Sequence, residues 1–156
     1  MLQDFNICIN TQFVFGRDAH KQVGVELKKR GVKKVLIHHD DGKFLYDTGL
    51  LECVKNSLEK EGICTLELGG VLPNPRLSLV REGIELARNE GVAFVLAIGG
   101  GSVIDPAKSI GLGAVSTVDV WKFFTGESMP ENSLPTGVIL TCPATGSESS
   151  AVTVVN

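Results

Sequence analysis

Residues 96–110, LAIGGGSVIDPAKSI, run from an apolar segment into three consecutive glycines and then into a pattern of helical period. The segment before the glycines, VAFVLAI (92–98), is apolar throughout, as expected of a strand covered on both faces of a parallel sheet. After them, Ala107, Ile110 and Ala114 recur at spacings of three and four, which predicts a helix from Ser102 to about Ala114. Backbone amides at such a strand-to-helix turn can point at an anion, and the positive end of the helix dipole reinforces them. Glycine lets a ligand approach the main chain closely. The spacing is not G-x-G-x-x-G, so the usual dinucleotide fingerprint is not met. Ser102-x-x-Asp105 also has the form of a capping box, which would satisfy the helix start without a ligand. The two readings are compatible.

The same alternation extends outward. FNICIN and FVF near the start read as short strands. A helix is expected from Asp18 to Arg30, with Val23 and Leu27 on one face and Gly31 ending it. KKVLIHH (33–39) is a strand, and Thr48 opens a helix carrying Leu51, Val54 and Leu58 that stops at Gly62. ICTLEL (63–68) is the next strand. A third helix, about 76–90, carries the stripe Leu77, Val80, Ile84 and Ala87. TGVILT (136–141) and AVTVV (151–155) are expected as further strands. Strands alternating with helices of this length predict an α/β fold with a doubly wound, mostly parallel sheet.

Composition narrows the function classes. The 156 residues are 43% hydrophobic and 21% charged, enough for one domain with its own core. A net charge of −3 offers no attraction for nucleic acid or an anionic membrane. MLQDFNICIN lacks the features of a signal peptide, and no run approaches the roughly 18 apolar residues of a spanning helix. Cys8, Cys53, Cys64 and Cys142 show neither C-x-x-C pairing nor zinc-like spacing. Reduced thiols in a cytoplasmic protein are therefore expected.

Open parallel sheets bind ligands at the carboxyl ends of their strands. Those ends are HHDDGK (38–43), GGVLPNP (69–75), GGGSVID (99–105) and TCPATGSE (141–148). Most are rich in small polar residues suited to phosphate or ribose. GGGSVIDPAKSI resembles the GGGS-x-x-D-x-A-K segment of the iron-dependent, or group III, alcohol dehydrogenases. FVFGRDAHKQV, GVLPNPRLSLVREGIELAR and PATGSES match that family in the same order. PATGSE and FLYDTGLL most resemble its NAD(P)H-dependent butanol dehydrogenase branch.

The resemblance implies a Rossmann-like, dehydroquinate synthase-like nucleotide-binding domain over residues 1–156. It places the cofactor pyrophosphate on Gly99, Gly100, Gly101 and Ser102, with Asp105 in the same segment. Asn74 of the PNP loop would lie against the cofactor. Thr141, Ala144, Thr145 and Ser147 would wrap the phosphates and approach the nicotinamide. Asp40 and Asp41, at the end of the first helix-flanked strand, would accept ribose hydroxyls and repel a 2′-phosphate. Lys43 would partly offset them, so NAD is expected over NADP. An exposed polar turn without a role is the plain alternative for this stretch.

Family members hold Fe(II) or zinc with one aspartate and three histidines of a C-terminal helical domain, which the resemblance places beyond Asn156. His20, His38 and His39 are the only histidines here. His38 and His39 adjoin on a strand and point to opposite faces, so no metal ligand and no catalytic residue is expected within this chain. The expectation is the cofactor domain of an oxidoreductase moving hydride between NAD(P)(H) and a small alcohol or aldehyde such as butanol, with negligible turnover alone. A nonenzymatic nucleotide-binding module, a glycerol or glycerol-phosphate dehydrogenase, and a dehydroquinate synthase-like enzyme are the alternatives. The resemblance also implies a homodimer paired through the N-terminal strands. Trp121, Phe123 and Phe124 are expected to pack a connecting segment, or else to line the nicotinamide end of the cleft.

Overall fold

The structure, a computed structural model, describes residues 11–72 and 74–156. The FNICIN strand lies outside these residues. Four strands, β1 (Lys34–Asp40), β2 (Cys64–Val71), β3 (Phe94–Gly99) and β4 (Thr136–Leu140), form one sheet in the order β2-β1-β3-β4. Every pairing among the described residues is parallel. The accompanying helices are α1 (Val23–Lys29), before β1, and α2 (Lys43–Asp47), α3 (Leu50–Lys60), α4 (Leu77–Asn89), α5 (Gly101–Val115) and α6 (Trp121–Phe124).

Side chains of a strand alternate between faces, and the two central strands divide their residues accordingly. Val35, Ile37, Phe94, Leu96 and Ile98 pack with Leu27 of α1 and Leu51, Val54 and Leu58 of α3. Leu36, Val95 and Ala97 pack on the other face with Val80, Ile84 and Ala87 of α4 and Ile104, Ala107 and Ile110 of α5. Both faces are therefore covered, which is why β3 reads as an unbroken apolar run and β1 has an apolar centre followed by two buried histidines. The predicted helical stripes are the observed ones, with Leu77 partly buried at the start of α4. Gly31, Gly62 and Gly91 follow α1, α3 and α4 at positive φ, the usual left-handed termination.

The chain leaves β1 for β2 at the sheet edge, then crosses back to place β3 on the opposite side of β1. That reversal puts a switch point between β1 and β3, where the carboxyl ends of neighbouring strands open a crevice. Asp40 and Gly99 are the last residues of those two strands.

Some local expectations are corrected. Residues 13–15 are not a strand, and Phe13 and Phe15 are exposed. Asp18 does not cap an α-helix. It precedes a 3₁₀ turn, Ala19–Gln22, without a side-chain capping bond, and instead pairs with Lys21 at 3.2 Å. Helix α3 begins at Leu50 rather than Thr48, because α2 occupies the preceding residues and buries Leu45. AVTVV (151–155) joins no strand ladder. Lys108 of α5 takes the Val152 carbonyl and Asp105 the Val154 amide instead, and Asn156 exchanges two backbone bonds with Pro75 and Leu77 (2.9 and 2.8 Å). Trp121 and Phe124 stack at 5.7 Å, while Phe123 and Phe124 pack against the core. Arg81 grips Asp119 through two bonds of 2.9 and 3.0 Å just before α6. The aromatic segment is thus a packed connection.

Helices α1 and α3 touch at Gly24. A Cβ there would lie 1.9 Å from the Ser57 carbonyl oxygen, while the Ser57 hydroxyl accepts from Gly24 N–H (3.1 Å) and donates to the Lys21 carbonyl (2.7 Å). Main chain cannot yield without moving the helices apart. Gly24→Ala is expected to lower stability by about 2 kcal/mol, measured by urea unfolding; an unchanged midpoint would show that this crossing is loose.

Candidate functional site

The GGG turn is a packing device and an open seat at once. Gly99 ends β3, and a Cβ on it would lie 2.4 Å from a Val103 methyl, so helix α5 sits too close for any side chain. Gly101 faces Thr145: a Cβ there would lie 2.9 Å from both Thr145 Cγ2 and Oγ1. Gly100 has more room, its Cβ direction meeting only Cys142 Cβ at 3.5 Å and the Cys142 carbonyl at 3.8 Å. None of the three has positive φ. Gly99 and Gly101 are needed for closeness, not for unusual dihedrals.

Gly100 is the N-cap of α5, and no side chain caps this terminus. The capping box expected from Ser102 and Asp105 does not form, because Ser102 already lies inside the first turn. The Gly100 carbonyl accepts from Val103 N–H (2.9 Å) and Ile104 N–H (3.0 Å). The first amides of a helix have no intrahelical acceptor, so the start of α5 presents donors and a positive dipole end at the switch point. Ser102 is exposed beside them.

The 141–147 loop forms the neighbouring wall. Thr141 N–H donates to the Gly99 carbonyl at 3.2 Å, tying the end of β4 to the turn. Ala144 and Thr145 are exposed, and Thr145 Oγ1 accepts from Ser147 N–H at 3.3 Å. Ser147 is buried, with its hydroxyl shared between Asp105 and Lys108. Asp105 accepts from the Ser147 hydroxyl at one oxygen and from Val154 N–H (3.1 Å) at the other. Ser147 and Asp105 are therefore engaged with each other, while Gly100, Gly101, Ser102, Ala144 and Thr145 line the open side.

On the far side of the switch point, Asp40 Oδ1 accepts from Gly42 N–H at 2.8 Å, making an Asx turn that leads into α2. Asp41 is exposed, and a Cβ on Gly69 at the end of β2 would meet its Oδ1 at 2.6 Å. Lys43 is the exposed first residue of α2. Asn74 is exposed with φ 62°, in the loop between β2 and α4. All four strand ends thus bring their polar residues to the same edge of the sheet.

His38 and His39 point to opposite faces. His38 is fully buried, and its Nδ1–H donates to the Leu68 carbonyl at 2.9 Å; that bond fixes the neutral tautomer with Nε2 bare. His39 Nδ1–H donates to the Asp40 carbonyl at 2.7 Å. Neither ring offers a shared ligand position. Among the described residues, no group of three or more histidine, cysteine or acidic side chains comes together to hold a metal.

A family model described as iron-containing alcohol dehydrogenase matches residues 10–156. The chain belongs to the iron-containing alcohol dehydrogenase family. It is 39% identical over 154 residues to a probable NADH-dependent butanol dehydrogenase of Bacillus subtilis, covering 99% of this chain and 39% of that protein. It is 35% identical over 158 residues to the NADPH-dependent aldehyde reductase YqhD of Escherichia coli, covering 99% and 40%. The crystal structure of an NADH-dependent butanol dehydrogenase A from Thermotoga maritima superposes with a TM-score of 0.93 at 40% identity, over 98% of this chain and 38% of that one. The chain thus spans about two fifths of these members of the iron-containing family.

In this member of the iron-containing alcohol dehydrogenases, buried His38 also marks the strand end by its titration. Burial pushes its pKa down to about 4, against a smaller opposing effect of the Leu68 carbonyl. The unfolded chain takes up this proton near pH 6.5, before the folded chain does. Stability is therefore fully present above pH 6.5 and is lost as pH falls toward 4. Urea unfolding is expected to show about 2 kcal/mol lost from this group between pH 7.5 and 5, and His38→Gln should flatten the slope by that amount. An unaltered slope would mean that His38 is not buried as described.

Proposed function

We propose that this chain is the NAD(P)-binding domain of an alcohol or aldehyde oxidoreductase, with NAD the preferred carrier and a small primary alcohol such as butanol, or the matching aldehyde, the substrate of the complete enzyme. The observation that carries this reading is the uncapped start of α5 at the switch point, walled by Thr145 across Gly101. A pyrophosphate suits that seat: an anion takes the first-turn amides and the helix dipole, and glycine admits it to the main chain. Ser102, Thr141, Ala144 and Thr145 would surround it, with Asn74 against the cofactor from the neighbouring loop.

When bound, the nicotinamide ring supplies the hydride acceptor or donor. The chain's own residues would hold and orient that ring. Asp40 and Asp41 support NAD, because two carboxylates at the end of β1 can accept the ribose hydroxyls and disfavour a 2′-phosphate. Asp40 keeps one oxygen free of the Gly42 bond. Lys43 stands near enough in sequence to soften that bias. The NADH-dependent names of the Bacillus and Thermotoga relatives agree with this choice, and the Escherichia coli relative is NADPH-dependent. Free thiols at Cys53, Cys64 and Cys142 are in keeping with a cytoplasmic setting.

Calorimetric titration of the purified chain with NADH and NADPH in parallel tests the proposal. Saturable binding is expected, tighter for NADH. Asp40→Gly should move the ratio of the two dissociation constants toward NADPH by roughly tenfold, about 1.4 kcal/mol, with Asp41→Gly measuring the second acid. Binding of neither nucleotide would sink the cofactor reading. An unchanged ratio in both variants would sink the assignment of selectivity to these acids.

A further inference from the structure

Lys108 lies one turn after Asp105 on α5, and its side chain is only 16% exposed. Its ammonium group has three protons to give and is surrounded by acceptors of one returning segment: the Ser147 hydroxyl at 2.9 Å and carbonyl at 3.1 Å, the Ser150 carbonyl at 3.2 Å and the Val152 carbonyl at 2.5 Å. Asp105, 3.3 Å from the ammonium, holds the same segment at both ends through the Ser147 hydroxyl and the Val154 amide. Ser109 adds a contact to the Thr153 hydroxyl at 3.2 Å. One face of α5 thus replaces a strand ladder as the partner of residues 147–154.

We propose that Asp105 and Lys108 are positioning residues for the dinucleotide seat, acting through the loop and not by touching the ligand; this rests on the cofactor reading above. The line of force is short. The pair anchors Ser147, whose amide holds the Thr145 hydroxyl, and Thr145 lies against Gly101 at the start of α5. Without the anchor, Thr145 loses its place beside the anion seat. The pairing also has an electrostatic use. A lone carboxylate in the second turn of α5 would repel a pyrophosphate at the helix start, and the adjacent ammonium cancels that charge. Lys108 therefore supports both the shape and the potential of the seat, although its own protons are spent on the loop.

The test compares wild-type chain with Lys108→Met and Asp105→Asn, each at a temperature where circular dichroism shows it folded. Amide hydrogen exchange should rise at least tenfold across residues 145–154 in both variants, with β1, β3 and α4 unchanged. The dissociation constant of NADH should rise at least tenfold in Lys108→Met, while that of AMP, which lacks the pyrophosphate and nicotinamide half, should change less than threefold. Unaltered exchange at 145–154 overturns the clamp. NADH binding within twofold of wild type, or equal weakening of NADH and AMP, overturns the positioning role. Wild-type chain that binds neither NADH nor NADPH refutes the cofactor reading and the positioning role with it, and the exchange measurement then still decides whether the clamp itself exists.

Discussion

Helix α5 can begin directly at the end of β3 only because Gly99 has no side chain to strike Val103, which leaves the helix axis close to the sheet and its first amides at the switch point. Much else is arranged around that junction. The apolar side of α5, with Ile104, Ala107 and Ile110, seals the sheet together with α4. Its polar side, with Asp105 and Lys108, receives the chain returning from β4. One helix thus forms the core on one flank and organises the candidate site on the other.

Among the described residues, buried side-chain polar atoms are mostly satisfied, as expected where an unpaired one costs a few kcal/mol. The Asp105–Lys108 pair is costly to bury as two isolated charges but is compensated by hydroxyl, amide and carbonyl partners. His38 is the contrasting case: Leu68 satisfies one ring nitrogen, while the other, deeply buried, has no partner. The first arrangement holds a loop in place. The second stays neutral and makes stability depend on pH.

Much of the fold was legible from short-range pattern. An apolar centre identified β1 and an unbroken apolar run β3, and spacings of three and four identified α3, α4 and α5, because burial on one or both faces imposes those patterns. The motif GGGSVIDPAKSI pointed to the family, and PNP and PATGSES extended the match along the chain. Less was legible where a local pattern had two uses. Ser102-x-x-Asp105 has capping-box spacing, yet Asp105 is drawn to Ser147 and Val154, which lie 42 and 49 positions away. AVTVV has the composition of a strand, but its Val152 carbonyl and Val154 amide go to Lys108 and Asp105 of α5. Helix α2 was missed because its five residues carry only one buried position, Leu45, too few to establish a period.

The sequence by itself determined the alternation of strands and helices, the covered sheet, the glycine turn and the family, since all of these follow from residues close together in the chain. Tertiary structure alone decided that the order β2-β1-β3-β4 brings Asp40 and Gly99 to one crevice. It also decided that Gly99 serves packing while Gly101 admits Thr145, and that Asp105 and Lys108 spend their charges on the returning loop. The physical reason is common to all three. Period and turn preference are properties of neighbouring residues, whereas a polar group's partner is whichever donor or acceptor the folded chain brings within 3 Å or so.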